Sequence, residues 1–207
     1  MSFSPILTRV EQYYSEKVKT HGPTPSGVDW NSAESQALRF EQLLKVCDHK
    51  GPFSINDYGC GYGALVEYLS QRGYTFDYQG FDISETMIAT AQELHHGLSY
   101  CRFSMVESSL NTADYTVASG IFNVKLQGGD DEWQAYILHI LNKMAHLSQK
   151  GFAFNVLTGY SDPERRRVDL YYADPLFLFD SCKKNFSRFV TLLHDYPLYE
   201  FTILVKK

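Results

Sequence analysis

The stretch Asp57-Tyr58-Gly59-Cys60-Gly61-Tyr62-Gly63 constrains this chain more than any other. A strand at about 53–58 runs directly into three glycines, Gly59, Gly61 and Gly63, and so breaks into a tight turn that side chains would block. A helix to about residue 72 comes next. The turn therefore sits at a helix start, where a ligand can lie close against the backbone. A second strand, TFDYQGFD, ends at Asp82, and an acid at that point accepts two hydrogen bonds from a ribose diol. Glycine loop, strand and terminal acid together describe a site for an adenosine-containing cofactor.

The rest of the chain alternates in the same manner. The spacing predicts helices over 6–18 and about 32–48, joined by the Gly- and Pro-rich loop HGPTPSGVDW. In the second helix Ala37, Phe40, Leu44 and Cys47 recur on one face. Asn31 or Ser32 caps it, and Glu34 stands where a capping-box partner of Asn31 belongs. After Asp82, Ser84 caps a helix carrying Met87, Ile88 and Ala91 that stops near Gly97, and further strands are expected at 100–106 and 115–119. Asp130, Asp131 and Glu132 place negative charge at the positive end of the next helix. Its buried stripe is Trp133, Ile137, Ile140, Met144 and Leu147, and Gly151 follows its end. The strand FAFNVLT comes next, then a helix opened by Asp174-Pro175. Two closing strands, about 186–193 and 199–206, flank HDYP. In the last, Tyr199, Phe201, Ile203 and Val205 alternate with Glu200, Thr202 and Lys206, as on a strand with unlike faces. Five strand–helix units and a closing pair predict an α/β three-layer sandwich around a seven-strand, mainly parallel sheet whose last strand is antiparallel. Residues 1–207 read as one domain, with 1–50 an N-terminal helical cap and 51–207 the core.

Composition narrows the function. The formal net charge is −5, and the one dense basic run, Arg165-Arg166-Arg167, is flanked by Glu164 and Asp169. That pattern is a solvated loop and not the basic stripe of a duplex-binding protein, so no nucleic-acid partner is expected. Cys47, Cys60, Cys101 and Cys182 lie far apart with no paired spacing, which gives neither a structural metal site nor a disulfide framework. The opening residues lack the basic start and apolar run of a signal peptide, and no apolar stretch approaches the ~20 residues of a membrane span. A cytoplasmic location with no membrane contact is the expectation.

The glycine loop alone leaves the cofactor open, because Gly59-x-Gly61-x-x-Ala64 also satisfies the dinucleotide pattern of a NAD(P)-dependent reductase. Against that reading, about fifty residues precede the first strand, whereas dinucleotide folds begin near theirs. A chain of this length also has little room for a substrate domain. Asp57, two residues before the first glycine, would meet a cationic amino group and repel a pyrophosphate. DYGCGYG resembles the first motif of the class I S-adenosylmethionine-dependent methyltransferases, an acid followed by GxGxG. FDIS resembles their second motif, ADYTVASGIFN their fourth, and the terminal strand pair their reversed seventh strand. The similarity spans residues 30–207, implies a Rossmann-like core, and is greatest to small bacterial members of unassigned substrate.

By that resemblance Asp57, Gly59 and Gly61 hold the methionine end of S-adenosylmethionine, with Cys60 and Gly63 completing the loop. Asp82 holds the ribose, Ile83 packs on the adenine, and Glu107 lies near the adenine amino group. Ser119, Gly120 and Ile121 line the cofactor near its methyl. The product would be S-adenosylhomocysteine. The segment before the first strand offers Trp30 as a lid or plug, and Gln36 and Arg39 on one helix face. Arg39 is a candidate bidentate partner of the cofactor carboxylate; its other reading is a solvated side chain. Asn123, near the methyl, and His194, a candidate general base in the HDYP turn, are the catalytic candidates. Asp195 and His21 are weaker candidate bases. Tyr171, Tyr172 and Tyr196 could line an aromatic pocket. The fourth motif lacks the Asn/Asp-Pro-Pro-Tyr/Phe element of base-amino methyltransferases, so a small-molecule acceptor is expected, with its atom open. A non-catalytic cofactor-binding protein is a further alternative. Replacing Asp82 by Ala is expected to weaken cofactor binding by ~1.5–3 kcal/mol, the value of a hydrogen bond to a charged acceptor. Calorimetry that found unchanged affinity would show the acid to be misassigned.

Overall fold

The computed structural model describes residues 3–207. Its elements, in order, are α1 (Ser4–His21), α2 (Ala33–Leu44), β1 (Phe53–Tyr58), α3 (Ala64–Gln71), β2 (Phe76–Phe81), α4 (Glu85–Leu94) and β3 (Cys101–Ser104). There follow β4 (Ala113–Ala118), α5 (Asp130–Leu147), β5 (Ser148–Leu157), α6 (Pro175–Asn185), β6 (Phe189–Leu193) and β7 (Glu200–Lys206). The seven strands form one sheet in the order β3-β2-β1-β4-β5-β7-β6. Pairings from β3 through β5 are parallel, and β7 runs antiparallel to both of its neighbours. The expected sandwich is the observed one.

Two hydrophobic layers flank the sheet. On one face Phe40, Leu43 and Leu44 of α2 pack with Leu65 and Leu69 of α3 and Ile88 of α4 over Ile55, Tyr78 and Leu204. On the other, Ile6 and Val10 of α1 join Trp133, Ile137 and Met144 of α5 and Leu178 of α6 over Phe152, Phe154 and Ile203. The segment expected as one helical cap therefore divides: α2 is a full member of one layer, and α1 lies with the other.

Local chemistry explains most boundaries. Pro175 opens α6 behind Asp174, whose carboxylate accepts the Leu176 N–H at 2.8 Å, as its Asp-Pro start implies. Ser84 caps α4 by accepting the Met87 N–H at 3.2 Å. At α2 Ser32, one of the two expected caps, is the observed one, but its box is closed reciprocally by Ser35 and not by the expected pairing of Asn31 with Glu34. The link from β3 to β4 carries only a short turn at Glu107–Ser109, so four strand–helix units, not five, precede the closing pair.

The reading of β7 is also corrected. Glu200 and Thr202 are as buried as Phe201 and Ile203, because β7 is inserted between β5 and β6 and covered on both faces. Inside the core, Trp133 is fully buried and donates its ring N–H to the Phe122 carbonyl at 2.8 Å, beside the loop that leaves β4. Truncating Trp133 to Ala is expected to cost about 3–5 kcal/mol in urea unfolding. A loss below about 1 kcal/mol would mean that the surroundings collapse to fill the space.

Candidate functional site

The cleft opens at the carboxyl edge of the sheet, where β1 and β4 send their chains to opposite faces. Strand order reverses there, and open α/β sheets bind ligands at such points. Its floor is the loop from Asp57 to Tyr62. One wall carries Asp82, Ile83 and Met87, the other Ser119, Gly120 and Ile121, and Val10 and Tyr14 of α1 close the top.

Backbone geometry accounts for two of the glycines. Gly59 has φ +82°, and a Cβ there would strike the Ile121 side chain across the cleft. Gly120 has φ +75°, and a Cβ there would enter the Trp30 ring. Both positions thus need an unbranched residue in the left-handed region and leave no room for a side chain. Asp82 stabilises the floor. Its Oδ2 accepts the Gly61 N–H and its Oδ1 the Ser84 N–H, each at 2.9 Å. Each oxygen keeps a second lone pair for a ligand hydroxyl. Burial raises the Asp82 carboxyl above its ordinary range, against the opposing pull of those backbone donors.

Asp57 is 3% exposed and accepts a hydrogen bond from the Tyr78 hydroxyl at 2.8 Å. Burial pushes its carboxyl up to about 7; the Tyr78 bond lowers it and the nearby Asp82 charge raises it. The buried Cys60 thiol is held well above the ordinary range by burial and the two neighbouring carboxylates, so it is neither a thiolate nor a nucleophile at neutral pH. In the facing wall the Ser119 hydroxyl is buried without any hydrogen-bond partner. Such a group costs stability unless a ligand satisfies it.

The structure gathers Trp30, Asp57, Gly59, Cys60, Gly61, Asp82, Ile83, Ser119, Gly120 and Ile121 around this one cleft. Gly63 lies just behind it, at the start of α3. Four named residues are elsewhere. Glu107 is engaged by the Tyr58 hydroxyl and by Lys143 at 2.5 Å, and it is not on the cleft surface. Asn123 is buried and spends its carbonyl on the Leu157 N–H at 3.0 Å, which ties two loops together. His194 is exposed after β6, between the Tyr160 and Phe201 rings, and does not reach the cleft. Arg39 is neither solvated nor facing the cleft. It is buried, with its Nε at 3.0 and 2.9 Å from the two carboxylate oxygens of Glu200. That pair spans the sequence, which is why helical spacing found no partner for Arg39. The missed residues are Glu200, Asn155 and Tyr136, and the apolar residues on either side of Glu200 were the one hint of its burial.

Residues 55–146 match a family model described as a methyltransferase domain. A Mycobacterium tuberculosis protein designated a methyltransferase (Rv1506c) is 51% identical over 164 residues, 79% of this chain and 99% of that protein. The chain belongs to the class I S-adenosylmethionine-dependent methyltransferases. Among solved structures, the magnesium protoporphyrin IX methyltransferase of Synechocystis PCC 6803 with bound S-adenosylmethionine has a TM-score of 0.67 at 18% identity, covering 97% of this chain and 96% of that one. The N-methyltransferase NodS of Bradyrhizobium japonicum WM9, in complex with S-adenosylhomocysteine, has a TM-score of 0.66 at 15% identity, covering 95% and 97%. The cyclase SpnF shares the fold as well, with a TM-score of 0.64 at 18% identity and coverage of 92% and 75%.

The raised Asp57 carboxyl has a measurable signature. Between the ordinary unfolded value near 4 and the folded value of about 7, the folded protein binds more protons than the unfolded chain. This group's contribution therefore falls as pH rises through that window and is most unfavourable above it. Asp57→Asn removes the ionisation, so the variant should exceed the wild type in stability by a few kcal/mol at pH 8, with the gain shrinking toward pH 5. A stability difference that stays flat from pH 5 to pH 8 would show that Asp57 titrates normally.

Proposed function

We propose that this methyltransferase acts on a small-molecule acceptor, with its cofactor seated in the β1/β4 cleft. The observation that carries the reading is the pairing of Asp57 and Asp82 across a glycine floor, beneath a wall whose Ser119 hydroxyl is buried and unpartnered. The residues fit the cofactor. A cradle without side chains admits a ligand against the backbone, two carboxylates face its amino and ribose ends, and Ile83 and Met87 offer an apolar rest for a purine. When bound, S-adenosylmethionine supplies an electrophilic methyl carbon on a sulfonium centre.

The chain's own task is then positioning and exclusion of water. Asp57 would pair with the methionine ammonium, whose charge favours the ionised carboxylate. Asp82 would accept from the ribose hydroxyls while holding Gly61. Gln36 also lines the cleft, and its carbonyl accepts from the Tyr62 hydroxyl at 3.3 Å. No lysine, arginine or histidine stands among the described lining residues, and the Tyr14, Tyr58 and Tyr136 hydroxyls are all pushed upward by burial. None of them is a base at neutral pH. With the two lining carboxylates, Asp57 and Asp82, taken up by the cofactor, the acceptor atom would arrive already nucleophilic.

Two further features favour a small acceptor. The mouth is narrowed by α1, which is fastened through Ser15 to Ser84 at 2.7 Å and through Tyr13 and Lys17 to Asp29 at 2.8 and 2.6 Å. The net charge of −5 also disfavours a polyanionic substrate. Calorimetry with S-adenosylhomocysteine, NAD and NADP in parallel tests the reading. Micromolar binding of S-adenosylhomocysteine alone is expected. Binding of a nicotinamide nucleotide in its place would transfer the cleft to redox chemistry.

A further inference from the structure

Asn155, near the end of β5, and Glu200, at the start of β7, are buried polar residues whose side chains stand outside the sheet's own backbone ladder. The Glu200 carboxylate receives Arg39 on both oxygens, including Nη2 at 2.5 Å, and also accepts the Asn155 amide N–H at 2.8 Å. An acid accepts only, so that contact fixes which end of the Asn155 amide faces it. The carbonyl end is thereby aimed the other way, and it accepts the Gly120 N–H at 2.8 Å. Gly120 is the middle residue of the strip whose neighbours, Ser119 and Ile121, form the cleft wall.

The same carboxylate reaches the cleft by a second route. The Arg39 guanidinium that it holds lies 3.8 Å over the Trp30 ring. That ring in turn covers Gly120 so closely that no Cβ would fit between them. Trp30, Gly120, Asn155, Glu200 and Arg39 thus form a closed circuit through two loops, two strands and one helix, and two of its members line the cleft. We propose that Glu200 and Asn155 are positioning residues: they set the Ser119–Gly120–Ile121 wall, and through Arg39 they press Trp30 onto it, so that the cleft is shaped for its ligand. This rests on the reading of the cleft as the S-adenosylmethionine site.

A stabilising role alone is a poor account of the circuit. A buried ion pair contributes little net stability over apolar residues of the same shape, whereas it fixes orientation well. The circuit also explains why Arg39, so near the cleft, is withheld from it: its charge is spent on Glu200.

The test measures S-adenosylhomocysteine affinity by calorimetry in the full chain for Glu200→Gln, Asn155→Ala, Trp30→Phe and the double variant Glu200→Gln/Trp30→Phe. Thermal unfolding confirms that each is folded at the assay temperature. Both Glu200→Gln and Asn155→Ala are expected to bind at least tenfold more weakly. The double variant should bind about as well as Glu200→Gln alone, because the two changes break one circuit and their effects do not add. Tryptophan fluorescence should change on binding in the wild type and much less in Glu200→Gln, where Trp30 is no longer held. If Glu200→Gln does not fold, Asn155→Ala, which leaves the ion pair whole, decides with the same expected loss. Wild-type affinity in folded Asn155→Ala overturns the proposal, as do additive losses in the double variant. A wild-type protein that binds no S-adenosylhomocysteine overturns the cleft reading itself, and the proposal with it.

Discussion

Everything at the cleft follows from the direction in which the chain leaves two adjacent parallel strands. β1 and β4 are neighbours, yet the helix after β1 packs on one face of the sheet and the helix after β4 on the other. No connection crosses the gap between their carboxyl ends, so it is filled by whatever lies above. Here that is the N-terminal segment: α1 from one side, Trp30 from the other. The sheet supplies the rigid edge, and the residues on it are loops and strand ends, the places where side chains point outward without having to pack.

That edge holds groups a folded core would otherwise exclude. Asp57 is almost fully buried with a single hydroxyl donor, and Ser119 has none. Each of these two costs folding free energy, and both stand on the lining of one cavity, where a ligand with matching groups would offset the cost. Asp57 illustrates the exchange: burial raises its carboxyl to about 7, and a positively charged ligand group beside it would favour the ionised form.

The parts legible in the sequence are those whose cause is local. Glycines after a strand, an acid closing the next strand, an Asp-Pro helix start and the apolar stripe of α5 are each decided within a few residues, and the structure places each where its chemistry requires. What could not be read depends on residues far apart. Arg39 and Glu200 are 161 positions apart, so helical spacing offered nothing to pair with Arg39. The alternation in β7 looked like two unlike faces because a buried Glu reads as polar until its partner is known. Ser35 displaced Glu34 as the capping partner because the cap is Ser32 and not Asn31, which puts Ser35 at the third helical position. His194 and Asn123 were plausible by type and by strand order, but chain order does not say which loop residues turn inward. Asn123 turned toward a backbone N–H, and His194 toward neighbouring rings.

Fold and cofactor leave the acceptor free, and SpnF makes the point physically: nearly the same arrangement of strands and helices carries the name of a cyclase. What distinguishes one member from another must lie above the shared edge of the fold, in the parts that cover it. In this chain those parts are apolar and aromatic, with Val10 and Tyr14 on α1, Tyr136 on α5 and Phe40 on α2, and none carries a charge. A charged acceptor group would lose its hydration there without gaining a partner, a cost of several kcal/mol. A flat or apolar acceptor body would gain from the same walls. On the proposed reading of the cleft, such a cover would favour a nucleophilic atom carried on an apolar or aromatic body over a charged acceptor.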